Sequence, residues 1–347
     1  MTNPSRRVWS LLSYAAIAAC SWAPAVAQDS TIVLPAPTGT HAVGTLSALW
    51  LDPARTDASA ATPRPVGIQL WYPAGRPSAF ARASYAPGVD PSGSDYGRLP
   101  ARVATHASWQ PPFEPGLPPA PLVVFSTGRS MGTYDDTSLA EDLASHGYVV
   151  VGVNSPGLSR MTNANGEPIP PLPAPPLQVL QHFDSADPYF EPMVRDVGAD
   201  LRFVLATLGS ANRSDSILAG HLDLRRLAMP GHSNGALAAS RACARDDRCR
   251  ALVGIEGTQT REIRKQGIEK PYLLLISDTS LGYDAEGVHR ETGAHARSRY
   301  TAVIVKGAGH NTFTDLLLGR KDAALRSVLV PYPEVEVQTT FALPTRD

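Results

Sequence analysis

Cysteine is scarce in this chain, neither sign of charge is in marked excess, and long apolar runs are few. Three cysteines in 347 residues leave room for one pair at most. Lysine and arginine total 31 against 32 acidic residues, a net charge of -1. That balance gives no electrostatic footprint for nucleic acid or for an anionic membrane surface, so a small neutral or apolar ligand suits the chain better. No internal repeat recurs and no linker-like stretch divides the sequence, although its length suits one large α/β domain or two ordinary ones. No cofactor and no metal is expected.

What is present starts at the N-terminus. Arg6 and Arg7 precede an apolar run over residues 8–19, followed by Ala25, Val26 and Ala27. A basic head, a short apolar stretch and a small-residue cleavage site describe a secretory signal over residues 1–27, too short and too early to span a membrane. A second processing site, Ile17-Ala18-Ala19-Cys20, offers the alternative of a lipoprotein anchored through Cys20. In either case the expected location is secreted or periplasmic, with residues 28–347 as a single domain and no transmembrane span. Removal of Cys20 leaves Cys243 and Cys249, an even pair in an oxidising compartment. A disulfide is expected, two buried thiols being the alternative.

Residues 32–120 are rich in Pro, Ala, Gly and Ser, interrupted by strand-like runs such as residues 66–72. They predict antiparallel strands with long surface loops. From Pro121 onward, apolar runs at 122–126, 148–154, 226–229, 251–255, 272–277 and 300–305 alternate with amphipathic stretches at 137–145, 193–208, 236–244 and 284–297. Continuous apolar strands separated by helices imply βαβ units and a doubly wound, mostly parallel sheet covered on both faces. Residues 155–187 break the rhythm with the run P-I-P-P-L-P-A-P-P at 168–176, which predicts a surface insertion or flap.

Chemistry enters at Gly231-His232-Ser233-Asn234-Gly235, between an apolar run and a helix-forming one. A serine at a sharp strand-to-helix turn stands clear of the sheet, and the helix dipole favours negative charge developing there. Gly231 and Gly235 make such an elbow possible. Serine at its free pKa is a weak nucleophile and needs a base, which in this fold follows the last strand. His310, in Gly307-Ala308-Gly309-His310 after the run at 300–305, holds that position. His232 lies inside the elbow and is expected to pack locally. His41, His106, His146, His182, His221, His289 and His295 lie away from the strand ends. The acid that orients the imidazole belongs between serine and histidine in chain order, and Glu256 and Asp278 both end apolar runs. Position alone does not separate them.

These residues resemble the platelet-activating-factor acetylhydrolase family and related bacterial esterases. The likeness is carried by L-P-A-P-T-G at 34–39, V-G-I-Q-L-W-Y-P at 66–73, P-L-V-V-F-S-T-G at 121–128, L-A-S-H-G-Y at 143–148, L-R-F-V-L at 201–205, the elbow, and G-H-N-T-F at 309–313. The resemblance implies an α/β-hydrolase fold and a serine esterase that cleaves small-molecule esters with short-chain or lipid acyl groups, by a Ser-His-acid triad through an acyl-enzyme. It also favours Glu256, in V-G-I-E-G at 253–257, over Asp278. It implies an oxyanion hole from the backbone N–H groups of Arg129 and Asn234. Two departures stand out: the family more often has Asp where Glu256 stands, and His where Thr127 stands. Together with Asn234, also unusual at its place, they motivate the contrary expectation, a catalytically inactive secreted binding protein of the same fold. An acyltransferase shares the triad and is not separated from an esterase by sequence.

Overall fold

The computed structural model describes residues 31–57, 62–87, 102–173, 176, 183–277, 285–316 and 336–342. The signal segment, Cys20, His182, Asp278 and residues 174–175 and 177–182 of the proline-rich stretch lie outside the described residues.

Twelve strands form one sheet among the described residues. In chain order they are β1 (Ile32–Val33), β2 (Val43–Asp57), β3 (Thr62–Pro73), β4 (Arg82–Ser84), β5 (Val103–Trp109), β6 (Ala120–Ser126), β7 (Val149–Asn154), β8 (Leu222–His232), β9 (Cys249–Ile255), β10 (Tyr272–Ser277), β11 (Tyr300–Lys306) and β12 (Glu336–Ala342). Their spatial order is β1-β5-β2-β3-β7-β6-β8-β9-β10-β11-β12, with β4 paired to β5. The six strands from β7 to β11 in that order run parallel, and β3 and β12 flank them antiparallel. Strands β2 and β3 form a long antiparallel pair, while β5 adds parallel pairings to β1 and β2. This is an α/β-hydrolase fold.

The helices are α1 (Thr137–Ser145), α2 (Phe183–Ser214), α3 (Asn234–Ala244), α4 (Arg261–Gln266) and α5 (Ala285–His295). Alternation along the strands explains why their apolar runs are continuous: successive side chains serve opposite faces. Leu122 and Val124, with Val149, Val151 and Val153, join a large core shared with α2 and α3. Val123 and Val150 point the other way, into a smaller core with Trp71 and α1 residues Ala140 and Ala144.

Helix α2 starts at Phe183, so the last residues of the 155–187 stretch are helical, despite Pro188 and Pro192. Each interior proline costs about 3 kcal/mol or more. Against that, Phe190, Met193, Val194, Val197, Leu201, Val204, Leu205 and Leu208 are all buried on one helical stripe. At about 1.5–3 kcal/mol for each large side chain, burial outweighs the lost ladder bonds. Asp200 of the same helix, fully buried, is held by Arg64 at 2.8 Å and Arg55 at 2.6 Å, which locks α2 to the β2–β3 pair.

Candidate active site

Strand register brings the site together. His232, last in β8, pairs with Ile255, last in β9, and Ile255 pairs with Leu275 of β10. Ser233 and Glu256 are therefore the first residues beyond two neighbouring strand ends. Both occupy the left-handed region, each with φ of 52°. Non-glycine residues there are strained and persist where surrounding bonds over-determine them. Ser233 N–H donates to Ile255 O at 2.8 Å, and Glu256 N–H to Leu275 O at 2.9 Å.

The elbow glycines act through space rather than through φ. A Cβ at Gly235 would lie 2.3 Å from the carbonyl oxygens of both Ser126 and Thr127, and one at Gly231 would lie 2.6 Å from Gly235 O. Only hydrogen at those positions lets α3 start this close to the end of β6.

His310 Nε2 lies 2.8 Å from Ser233 Oγ, and His310 Nδ1 lies 3.2 Å from Glu256 Oε2. The Glu256 side chain is fully buried, whereas that of His310 is 48% exposed, so the imidazole faces an incoming molecule and its carboxylate partner does not. Ser277 ends the neighbouring strand and steadies Glu256: its N–H donates to Oε1, and its Oγ donates to Oε2 at 2.9 Å. A hydroxyl, an imidazole and a carboxylate in this order can pass a proton from the hydroxyl to the ring, with the carboxylate stabilising the resulting cation.

His232 packs locally, as its place in the elbow implied. Its Nε2–H donates to His310 O at 2.9 Å, and its ring stands 5.0 Å from that of His310. Burial holds its pKa down to about 4, with the neighbouring His310 acting in the same direction. A neutral His232 therefore props the loop that carries His310. Asp315 holds the same loop from its far end by accepting Ser138 N–H at 3.0 Å and Tyr85 O–H at 3.3 Å. Burial raises Asp315 to about 6 and its neighbour Asp135 to about 7. His289 is nearer the acid than its place in the chain implied. It interacts electrostatically with Glu256, while burial pulls its own pKa down to about 4.

Thr127 is fully buried, and its Oγ1 is 2.9 Å from Ser159 Oγ. Ser159 Oγ in turn accepts Ser155 N–H at 3.0 Å, so the first residues of the proline-rich stretch brace the loop after β6. A cavity of about 210 Å3 opens over Ser233 and His310, with Arg129, Met131, Arg160 and Leu316 in its walls. Sequence reasoning missed Ser277, Asp315, Ser159 and Arg160, none of which carries a local motif. Cys243 and Cys249 form a disulfide with 5.3 Å between their Cα atoms. Among the described residues no three His, Cys, Asp or Glu side chains are grouped to hold a metal ion, and no helix is long and apolar enough to cross a membrane.

A solved structure shares this architecture. The ferulic acid esterase from Streptomyces cinnamoneus matches with a TM-score of 0.69 and 28% sequence identity, over 85% of this chain and 82% of that one. The chain has an esterase-like hydrolase fold. No protein-family model matches it, and no curated protein does.

Proposed function

We propose that this protein is an exported serine esterase that cleaves small carboxylic esters through an acyl-enzyme. The observation that carries the reading is the relay from Ser233 Oγ to His310 Nε2 at 2.8 Å and on from His310 Nδ1 to Glu256 at 3.2 Å. Ser233 attacks the acyl carbonyl while His310 accepts its proton, and Glu256 keeps the ring in the right tautomer. The Asn234 N–H is the first amide of α3, where helix N–H groups lack intrahelical acceptors. With the Arg129 N–H it receives the oxyanion, an interaction worth about 3–4 kcal/mol per donor. His310 then returns the proton to the leaving alcohol, and a water activated by the same ring releases the acid.

The cavity of about 210 Å3 over Ser233 and His310 has room for a short or compact acyl group. The esterase likeness agrees with this chemistry, and a feruloyl ester is one substrate it commends. The motifs shared with the platelet-activating-factor acetylhydrolase family point to the same acyl transfer to water. The disulfide supports an oxidising compartment, in keeping with residues 1–27 as a signal.

A fluorophosphonate probe and a series of 4-nitrophenyl esters from acetate to palmitate test the proposal. Labelling at Ser233 and turnover that falls roughly 10^4- to 10^6-fold in Ser233→Ala are expected. A Glu256→Ala variant should lose far more activity than Asp278→Ala. An unlabelled Ser233 in folded protein would refute the reading.

A further inference from the structure

Two arginines, Arg129 and Arg160, line the cavity over Ser233, and their guanidinium groups are held differently. Arg160 is tied down: Nη1 donates to Tyr134 Oη at 2.5 Å and Nη2 to Ser130 O at 2.8 Å, and its charge acts on the buried carboxyl of Asp135. Arg129 has neutral partners. Its Nη1 donates to Leu172 O, and with the Asn234 amide oxygen turned toward it, Nε and Nη2 donate there at 3.0 and 3.2 Å.

Among the described residues no carboxylate pairs with Arg129. Half-burial pulls its pKa down, and among the described residues no acid acts against that pull. An arginine stays charged even so, and a half-buried guanidinium with no acid beside it among the described residues can take up a ligand carboxylate in place of the water it has lost. Of its five N–H donors, three are engaged, which leaves one on each of Nη1 and Nη2. Arg129 lines the cavity with Ser233 and His310, and it grips the side chain of the residue next to Ser233. A braced arginine therefore lines the same cavity as the Ser233 hydroxyl.

We propose that the Arg129 side chain selects esters that carry a second, ionised carboxylate, on the acyl or the alcohol part. The inference rests on the esterase reading and adds a substrate class to it. A planar fork matches a carboxylate's two oxygens, and charge-assisted bonds are stronger than neutral ones. The contact is made by a carboxylate that does not react, so the bond-making at Ser233 is the same for charged and neutral substrates.

Two matched pairs of substrates test it: monomethyl adipate against its neutral amide, methyl 5-carbamoylpentanoate, and 4-carboxyphenyl butanoate against 4-carbamoylphenyl butanoate. The first pair places the charge on the acyl part and the second on the leaving group. In the wild-type protein the charged member of at least one pair should be favoured about tenfold or more in kcat/KM, less so as salt is raised. Arg129→Gln should bring that ratio close to one, and Arg129→Lys should keep part of it. The ratio within each variant cancels any general loss from disturbing the loop. Equal turnover of both members by the wild-type protein overturns the inference, as does a preference that survives Arg129→Gln. If charged and neutral members fall together in the variant, the side chain serves the shared reacting centre, and the inference fails. Absence of turnover with 4-nitrophenyl acetate removes the esterase reading itself.

Discussion

At its N-terminal end, helix α3 begins beside a serine with φ of 52°, pressed against two carbonyl oxygens that leave no room for a Cβ at Gly235. At its C-terminal end the same helix is fastened. Cys243 is bonded to Cys249 at the start of β9, and Lys270 Nζ donates to Cys243 O at 2.9 Å and also to Asp246 O. Asp246 O in turn accepts Cys249 N–H at 3.0 Å. One end concentrates strain and unpaired donors, and the other concentrates covalent and polar closure. Strained backbone at a site persists only where its surroundings over-determine it, and α3 shows both halves of that arrangement on one element of eleven residues.

Substitutions at the two ends should therefore differ in kind. Among substitutions that leave the relay side chains in place, the largest effect is expected from Gly235→Ala, whose new Cβ meets backbone oxygens that cannot swing away. Displacing the start of α3 moves the Asn234 amide, and esterase kcat should fall about 100-fold or more, the scale of losing one oxyanion donor. Wild-type activity in that variant would show that the elbow tolerates a looser fit than its geometry implies.

A stability effect at the strained end comes from His232. Its native pKa of about 4 lies below the unfolded value near 6.5, so the unfolded chain binds more protons between those limits. The contribution of the neutral ring is full above about pH 6.5 and is lost as pH falls toward 4, on the order of 3 kcal/mol. Urea denaturation of wild type and His232→Asn across that window should show their stability difference shrinking as pH falls. A constant difference would contradict the burial argument.

The smallest effect belongs to the fastened end. Replacing both cysteines, Cys243→Ser with Cys249→Ser, should lower stability by about 2 kcal/mol, the chain-entropy value for so short a loop. That loss should be the same at pH 5 and pH 7, and kcat of the folded enzyme should stay within about twofold. A kcat that collapses with the disulfide would mean that the two ends are coupled more rigidly than separate anchoring requires.

Much of this was legible in the chain, for reasons that are local. The elbow reads from five consecutive residues, because a strand, a sharp turn and a helix each leave a short-range pattern around Ser233. Strands β6 to β11 and helices α1 and α3 follow from periodicity, since the apolar runs have to satisfy both faces of one sheet. Helix α2 was underestimated at its start, because proline content is a local signal and the stripe of buried side chains that overrides it is not. Glu256 and Asp278 were indistinguishable by position, and only the likeness to a family favoured one. The structure brings Glu256 to His310 and leaves Asp278 outside the described residues.

By itself the sequence determined which segments become strand, helix and elbow, and which hydroxyl and imidazole are candidates for a proton relay. Those properties depend on neighbours a few residues away. Tertiary structure alone decided how Ser233 and His310, 77 positions apart, and His310 and Glu256, 54 apart, reach hydrogen-bond distance. It also decided that Ser277, His232 and Asp315 brace them and that Arg129 lines the cavity with no carboxylate paired to it among the described residues. The physical reason is that register between parallel strands and closure of the loops beyond them are set by packing across the whole sheet, which no short stretch of chain encodes.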